Sequence, residues 1–270
     1  MRVPSSDGQV LANGVVHHIR IDGGSGPWVA FSNSLGCALE MWDEQVAALS
    51  DEFRVFRYDT RGHGLSASAP GPYSLELLAD DLLALLEVAG VAQCTLVGLS
   101  LGGMIAQTAI LRQPHAFCGL VLADTTSRYG PEVAEFWAER VETALSTGLD
   151  DIAQTTPTRW FTHGYGSRHP EVFARYQTML RNTDPAGYAG CCAAIPTIDV
   201  TGRLGSVTVP TAVIVGADDP STTVDHARRI HEAIAHSRLH VIPDAAHLSN
   251  VEQPERFTAI LLDFLNGIRQ

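Results

Sequence analysis

The sequence predicts an α/β protein: a mostly parallel sheet with helices on both faces and one helical insertion. Three observations predict it. Short apolar, β-branched runs alternate with longer segments of helical period. The alternation breaks once, between about residues 125 and 204, where helical patterns continue without a convincing strand. Finally, 270 residues, 45% of them hydrophobic, supply one large core more naturally than two small ones.

Taken in order, the strand runs begin with residues 15–21, 28–32 and 54–58. A helix follows, with Leu78, Leu82, Leu85 and Leu86 on one stripe, Ser74 placed as its N-cap and Gly90 as its stop. Residues 94–98 form the next run and lead directly into a helix over residues 104–111. Residues 119–123 form the fifth of these runs, and the insertion comes after it. It contains Trp137 and Trp160 and is too long to be a simple connection. The expected division is therefore a core of residues 1–124 and 205–270 and a helical cap of residues 125–204. Two more runs, 211–215 and 238–242, close the sheet. The final helix opens after Pro254 with Phe257, Ile260, Leu261, Phe264 and Leu265 facing one way, so it covers the sheet.

Composition excludes several functions. The net charge is −12 and no lysine- or arginine-rich run appears, so a nucleic-acid partner is not expected. No apolar stretch approaches the roughly 20 residues of a membrane span, and Met1 to Val10 is polar, without the pattern of a secretion leader. Five cysteines without C-x-x-C spacing fit neither a zinc site nor a disulfide framework, and a reducing cytoplasm is the expected location. No metal or organic cofactor is expected.

The residues with chemistry start at Gly98-Leu99-Ser100-Leu101-Gly102, between the fourth run and the helix after it. A strand-to-helix turn that tight strains the serine backbone, lifts Oγ off the sheet and aims the first helical amides at the reaction centre. Ser100 is the candidate nucleophile. It needs an imidazole to take its proton. Of eleven histidines, His247 follows the last strand run across a short loop, at the sheet edge where such folds keep their sites. His17 and His18 lie mid-strand, His63 lies in a turn, and His226, His231 and His236 are expected on one helix face. The acid that orients the base should lie between the two in the chain. Gly216-Ala217-Asp218-Asp219 offers it, and G-x-x-D spacing selects Asp219, with Asp218 as the alternative and Asp124 a more distant one. The amides of Leu101 and of Leu35, in the loop Ser32-Asn33-Ser34-Leu35-Gly36, are the candidate oxyanion donors.

Taken together, these motifs resemble the 3-oxoadipate enol-lactonase family of the α/β-hydrolase superfamily, over nearly the whole chain. The resemblance rests on the elbow, the Ser32-to-Gly36 loop, Met41-Trp42 and Arg57-Tyr58-Asp59-Thr60-Arg61-Gly62-His63-Gly64 in the core. In the insertion it rests on Trp137-Ala138-Glu139-Arg140, Arg159-Trp160-Phe161-Thr162 and Gly187-Tyr188-Ala189-Gly190-Cys191-Cys192-Ala193-Ala194. Cys37-Ala38 and Thr222-Thr223-Val224 depart from the usual pattern. The resemblance implies an eight-stranded α/β-hydrolase sheet and a carboxylate-bearing lactone as substrate. It implies Trp137, Arg140, Arg159 and Trp160 as candidate substrate contacts, with one of the two arginines receiving the carboxylate. A broad carboxylesterase, a lactamase or a cofactor-free perhydrolase would use the same three residues, and a ligand-binding receptor would use the same pocket.

Overall fold

A computed structural model describes residues 6–268. Of the expectation of no leader over Met1 to Val10, residues 1–5 lie outside the described residues. Eight strands form one sheet: β1 (Ser6–Ala12), β2 (Val15–Asp22), β3 (Trp28–Ser32), β4 (Arg54–Tyr58), β5 (Cys94–Leu99), β6 (Phe117–Ala123), β7 (Thr211–Gly216) and β8 (Arg238–Ile242). Their order is β1-β2-β4-β3-β5-β6-β7-β8. β1 and β2 pair antiparallel, as do β2 and β4, and every later pairing is parallel.

The central strands were readable because both their faces are covered. β5 and β7 are buried at every position, so they appear as unbroken apolar runs. β1 is different. It is an edge strand, mostly exposed, and its first four residues, Ser-Asp-Gly-Gln, are not apolar, which leaves only the short Val10-Leu11-Ala12 at its end.

The helices of the core are α1 (Asp43–Leu49), α2 (Leu75–Val88) and α3 (Leu101–Arg112). Ser74 Oγ caps α2 by accepting from Leu77 N–H at 3.1 Å, and Gly90, at φ 71°, ends it as expected. Between β6 and β7 the described residues hold helices and no named strand: α4 (Ala134–Thr147), α5 (Asp150–Thr155), α6 (Pro157–Trp160), α7 (Tyr165–Arg168), α8 (Pro170–Arg181) and α9 (Pro185–Ala194). The two stems of this segment meet in a bridge between Arg128 and Asp199. α9 lies against the core, where Asp184 N–H donates to the Gly62 carbonyl and Tyr73 N–H to the Gly190 carbonyl. After β7 come α10 (Val224–Ala233), α11 (Ser249–Glu252) and α12 (Pro254–Ile268). Phe257, Leu261, Phe264 and Leu265 of α12 are buried.

One expectation is corrected. His226 and His231 lie on α10, but His236 lies beyond its end with a left-handed backbone, φ 64°, because the chain turns there to enter β8. The five cysteines are unpaired thiols, and Cys191 and Cys192 are buried in α9. No helix among the described residues is long and apolar enough to cross a membrane.

The sheet order fixes where a site can form. β3 and β5 are adjacent, yet the chain leaves β3 toward β4 on one side and β5 toward β6 on the other. The loops at their carboxyl ends diverge and leave a crevice between them. The loop with Leu35 and the turn with Ser100 flank that crevice.

Candidate active site

Ser100 joins β5 to α3 with φ 57° and ψ −117°, a backbone that non-glycine residues rarely adopt. Its neighbours make this possible. A Cβ on Gly98 would sit 2.2 Å from the Gly102 carbonyl oxygen, and one on Gly102 would sit 2.1 Å from that of Ser32. Only glycine lets the start of α3 press against the ends of β5 and β3. The strained turn is pinned at both ends: Ser100 N–H donates to the Ala123 carbonyl, and Thr125 Oγ1 donates to the Ser100 carbonyl at 2.7 Å.

His247 Nε2 lies 2.8 Å from Ser100 Oγ, and its Nδ1 lies 2.8 Å from Asp219 Oδ2. A carboxylate accepts, so Nδ1 carries the ring proton and Nε2 is left to accept from the serine hydroxyl. The structure thus brings together the three residues the sequence singled out. Of the adjacent carboxyls, Asp219 meets the ring, whereas Asp218 is exposed. Asp124 is fully buried nearby but takes the Gly216 N–H at 2.8 Å and the Ser249 hydroxyl at 2.5 Å.

Asp219 collects further donors. Ser221 N–H and Thr222 N–H reach Oδ1 at 2.7 and 3.0 Å, and the Thr222 hydroxyl donates to Oδ2 at 2.7 Å. That hydroxyl oxygen also sits 3.2 Å from His247 Nδ1. Sequence reasoning saw Thr222 only as a departure in pattern. A hydroxyl residue three positions after the acid was the available signal, since short side chains there close a turn onto the carboxylate.

The electrostatics follow from these contacts. Burial pushes the Asp219 carboxyl up, but the charge and hydrogen bond of His247 and the Thr222 donors outweigh it and hold it below its ordinary value. Burial pulls His247 down, and the Asp219 charge and hydrogen bond more than reverse this, leaving it raised.

The pair opens on a cavity of about 120 Å³. Ser34, Leu35, Ser100 and His247 line its core side. Trp137, Arg140, Arg159 and Trp160 line it from the helical segment, together with Phe136 and Tyr188. Leu101 is buried at the first position of α3, where a helical amide has no intrahelical partner. The Leu35 loop is held by Asn33, whose amide donates to the Tyr58 carbonyl at 2.8 Å and accepts from Trp42 Nε1 at 3.0 Å. His63, read as a turn residue, is buried with Nδ1 3.2 Å from the Arg61 carbonyl.

The two cavity arginines differ. Arg140 Nε donates to the Tyr188 hydroxyl at 2.7 Å and its guanidinium also bonds the Thr156 hydroxyl, so it is committed. The Arg159 guanidinium rides over the Phe136 ring at 5.2 Å and has no hydrogen bond or ion pair among the described residues.

A sheet of this topology, with an elbow serine, a histidine after its last strand and an aspartate after β7, defines a hydrolase of the α/β type. Residues 27–254 match the family described as having the alpha/beta hydrolase fold. The chain is 41% identical over 231 residues to 3-oxoadipate enol-lactonase 2 of Acinetobacter baylyi, covering 86% of this chain and 85% of that one. It is 35% identical to 3-oxoadipate enol-lactonase 1 of the same organism, over 90% of each chain. The crystal structure of the enol-lactonase from Burkholderia xenovorans LB400 superposes with a TM-score of 0.92 at 40% identity, over 96% of this chain and 100% of that one. The chain belongs to the 3-oxoadipate enol-lactonase family of α/β hydrolases, and it is a carboxylic ester hydrolase.

Proposed function

We propose that the protein opens a small lactone bearing a carboxylate, 3-oxoadipate enol-lactone to 3-oxoadipate, through an acyl-enzyme on Ser100. Ser100 Oγ attacks the ring carbonyl as its proton passes to His247 Nε2. The Leu35 and Leu101 amides receive the developing oxyanion. When the ring C–O bond breaks, His247 returns the proton to the enol oxygen, the enol tautomerises to the ketone, and water, activated by the same imidazole, hydrolyses the acyl-enzyme to release the open-chain keto diacid. Asp219 holds the imidazole tautomer and offsets its charge. Residues 125–204 act as the cap, with Trp137 and Trp160 as apolar walls. Arg159 receives the substrate carboxylate, against an overall charge of −12. Arg140 holds Tyr188 and thereby shapes the wall.

The observation that carries this reading is the aligned Asp219–His247–Ser100 chain opening on a cavity whose cap wall presents an arginine with no bonded partner for its guanidinium among the described residues. The names of the relatives supply the substrate. The test compares Arg159→Leu and Arg140→Leu on the enol-lactone and on neutral p-nitrophenyl acetate. Arg159→Leu is expected to raise KM for the lactone about tenfold, the scale of a charge-assisted bond still touched by water, with kcat changed less. It should leave the neutral ester unchanged. Arg140→Leu should impair both substrates, because it loosens Tyr188. Equal losses on both substrates for Arg159→Leu would show that it binds no carboxylate.

A further inference from the structure

His247 is held by more than its own ring. The amides of the residues before and after it are both tied: Ala246 N–H donates to Glu252 Oε2 at 2.9 Å, and Leu248 N–H donates to the Trp160 carbonyl at 3.0 Å. Glu252 also reaches the helical segment. Its carboxylate accepts Thr162 N–H at 2.9 and 3.1 Å and the Thr162 hydroxyl as well. Glu252 is only 8% exposed and makes no ion pair among the described residues. A buried carboxylate without a counter-charge persists only where donors converge on it. Here they come from two places, the loop with His247 and the turn that follows Arg159 and Trp160.

We propose that Glu252 is a positioning residue that fastens the turn at residues 159–162 to the His247 loop, so that the cap wall of the cavity and the ring facing Ser100 are set as one unit. The inference rests on His247 being the general base. Its physical basis is geometric. Two hydrogen bonds from the cap side and one from the loop side share one carboxylate, and the Trp160 carbonyl adds a second tie one residue beyond His247. Neither element can shift without moving the other. Glu252 does not line the cavity at Ser100, so its effect is transmitted through the backbone at Ala246.

The test uses Glu252→Gln, Thr162→Val and the double variant, with active sites counted by an organophosphonate that labels Ser100 and turnover measured on p-nitrophenyl acetate. Glutamine keeps the shape but points an N–H₂ group at N–H donors. Valine removes only the hydroxyl on the cap side. Glu252→Gln is expected to lower kcat per titrated site at least about tenfold with KM nearly unchanged, since small displacements of a base are costly. Thr162→Val should lower kcat per site about threefold or more, because a shared hydroxyl is lost. The double variant should fall no further than about twofold below Glu252→Gln, because both changes cut one link. Variants that keep wild-type kcat per titrated site and lose only thermal stability would overturn the inference, as would fully multiplicative losses. Should Glu252→Gln fail to fold, Thr162→Val decides by the same measurement. An active wild type that takes no label on Ser100 would overturn the reading of His247, and this inference with it. Full labelling with unaltered variant turnover would overturn the inference alone.

Discussion

The ends of β6 and β7 lie side by side, and each closes on a buried aspartate, Asp124 after the first and Asp219 near the second. Their carboxyls behave oppositely. Asp219 is met by two backbone amides, the Thr222 hydroxyl and His247, and sits below its ordinary value in spite of burial. Asp124 has one amide and one hydroxyl, and burial, reinforced by the negative charge of Asp219, pushes it up to about 8. Burial alone therefore does not decide which carboxyl is charged. The number of donors and the sign of the neighbour do, and in a pair this close the charge settles where the donors are.

The largest expected effect breaks this comparison at β7. Asp219→Asn should lower kcat/KM by about 10⁴, because the amide cannot hold Nδ1–H and the ring takes the wrong tautomer. It should also move the pH profile. On the proposed mechanism the raised His247 must lose its proton before it can accept that of Ser100, so wild-type activity is expected to rise with pH through that raised value. Without the carboxylate, burial is the dominant influence and lowers His247, so the acid limb should shift to lower pH. A mild Asp219→Asn beside a crippling Asp124→Asn, compared by kcat/KM across pH, would reverse the assignment of the two aspartates.

A smaller effect sharpens the same comparison. Thr222→Val keeps shape but removes the hydroxyl that donates to Asp219 Oδ2. One hydrogen bond to a charged acceptor corresponds to about a tenfold change in kcat/KM. The change should lie in kcat, with KM held, because Thr222 touches the acid and the ring rather than the cavity. An unchanged kcat would mean that the two backbone amides orient Asp219 unaided.

The sequence made part of this site legible. Ser100 was readable because an elbow demands glycines at fixed offsets, and Asp219 and His247 because each follows a buried apolar strand at the same sheet edge. Thr222 was passed over although its bond to Asp219 is local, three positions on, whereas the contact of Glu252 with Thr162 joins residues far apart in the chain and leaves no spacing to read. The edge strand β1 escaped because exposure removes the apolar pattern that marks a strand. His236 was misplaced for a related reason: helical spacing continued on paper past the point where the backbone turns. The family resemblance of the insertion motifs pointed to Trp137, Arg140, Arg159 and Trp160, but only contacts separate the committed Arg140 from Arg159, whose guanidinium has no hydrogen bond or ion pair among the described residues.

The smallest expected effect on activity comes from Asp124→Asn. At neutral pH Asp124 already holds its proton, so an uncharged amide of the same shape should keep kcat/KM within about threefold, provided that it still accepts the Gly216 N–H. Stability shows the difference instead. In the unfolded chain this aspartate loses its proton near pH 4, while in the fold it keeps it until about 8. Between those values the native state binds the extra proton, so this group's contribution to stability is complete below pH 4 and is lost as pH rises toward 8. Asparagine cannot titrate. The melting temperature of Asp124→Asn relative to wild type should therefore climb by on the order of ten degrees between pH 4 and pH 8. A difference that stays flat over that range would mean Asp124 is ionised in the fold. The two carboxyls would then share charge rather than divide it, and the contrast between β6 and β7 would fail at its weaker member.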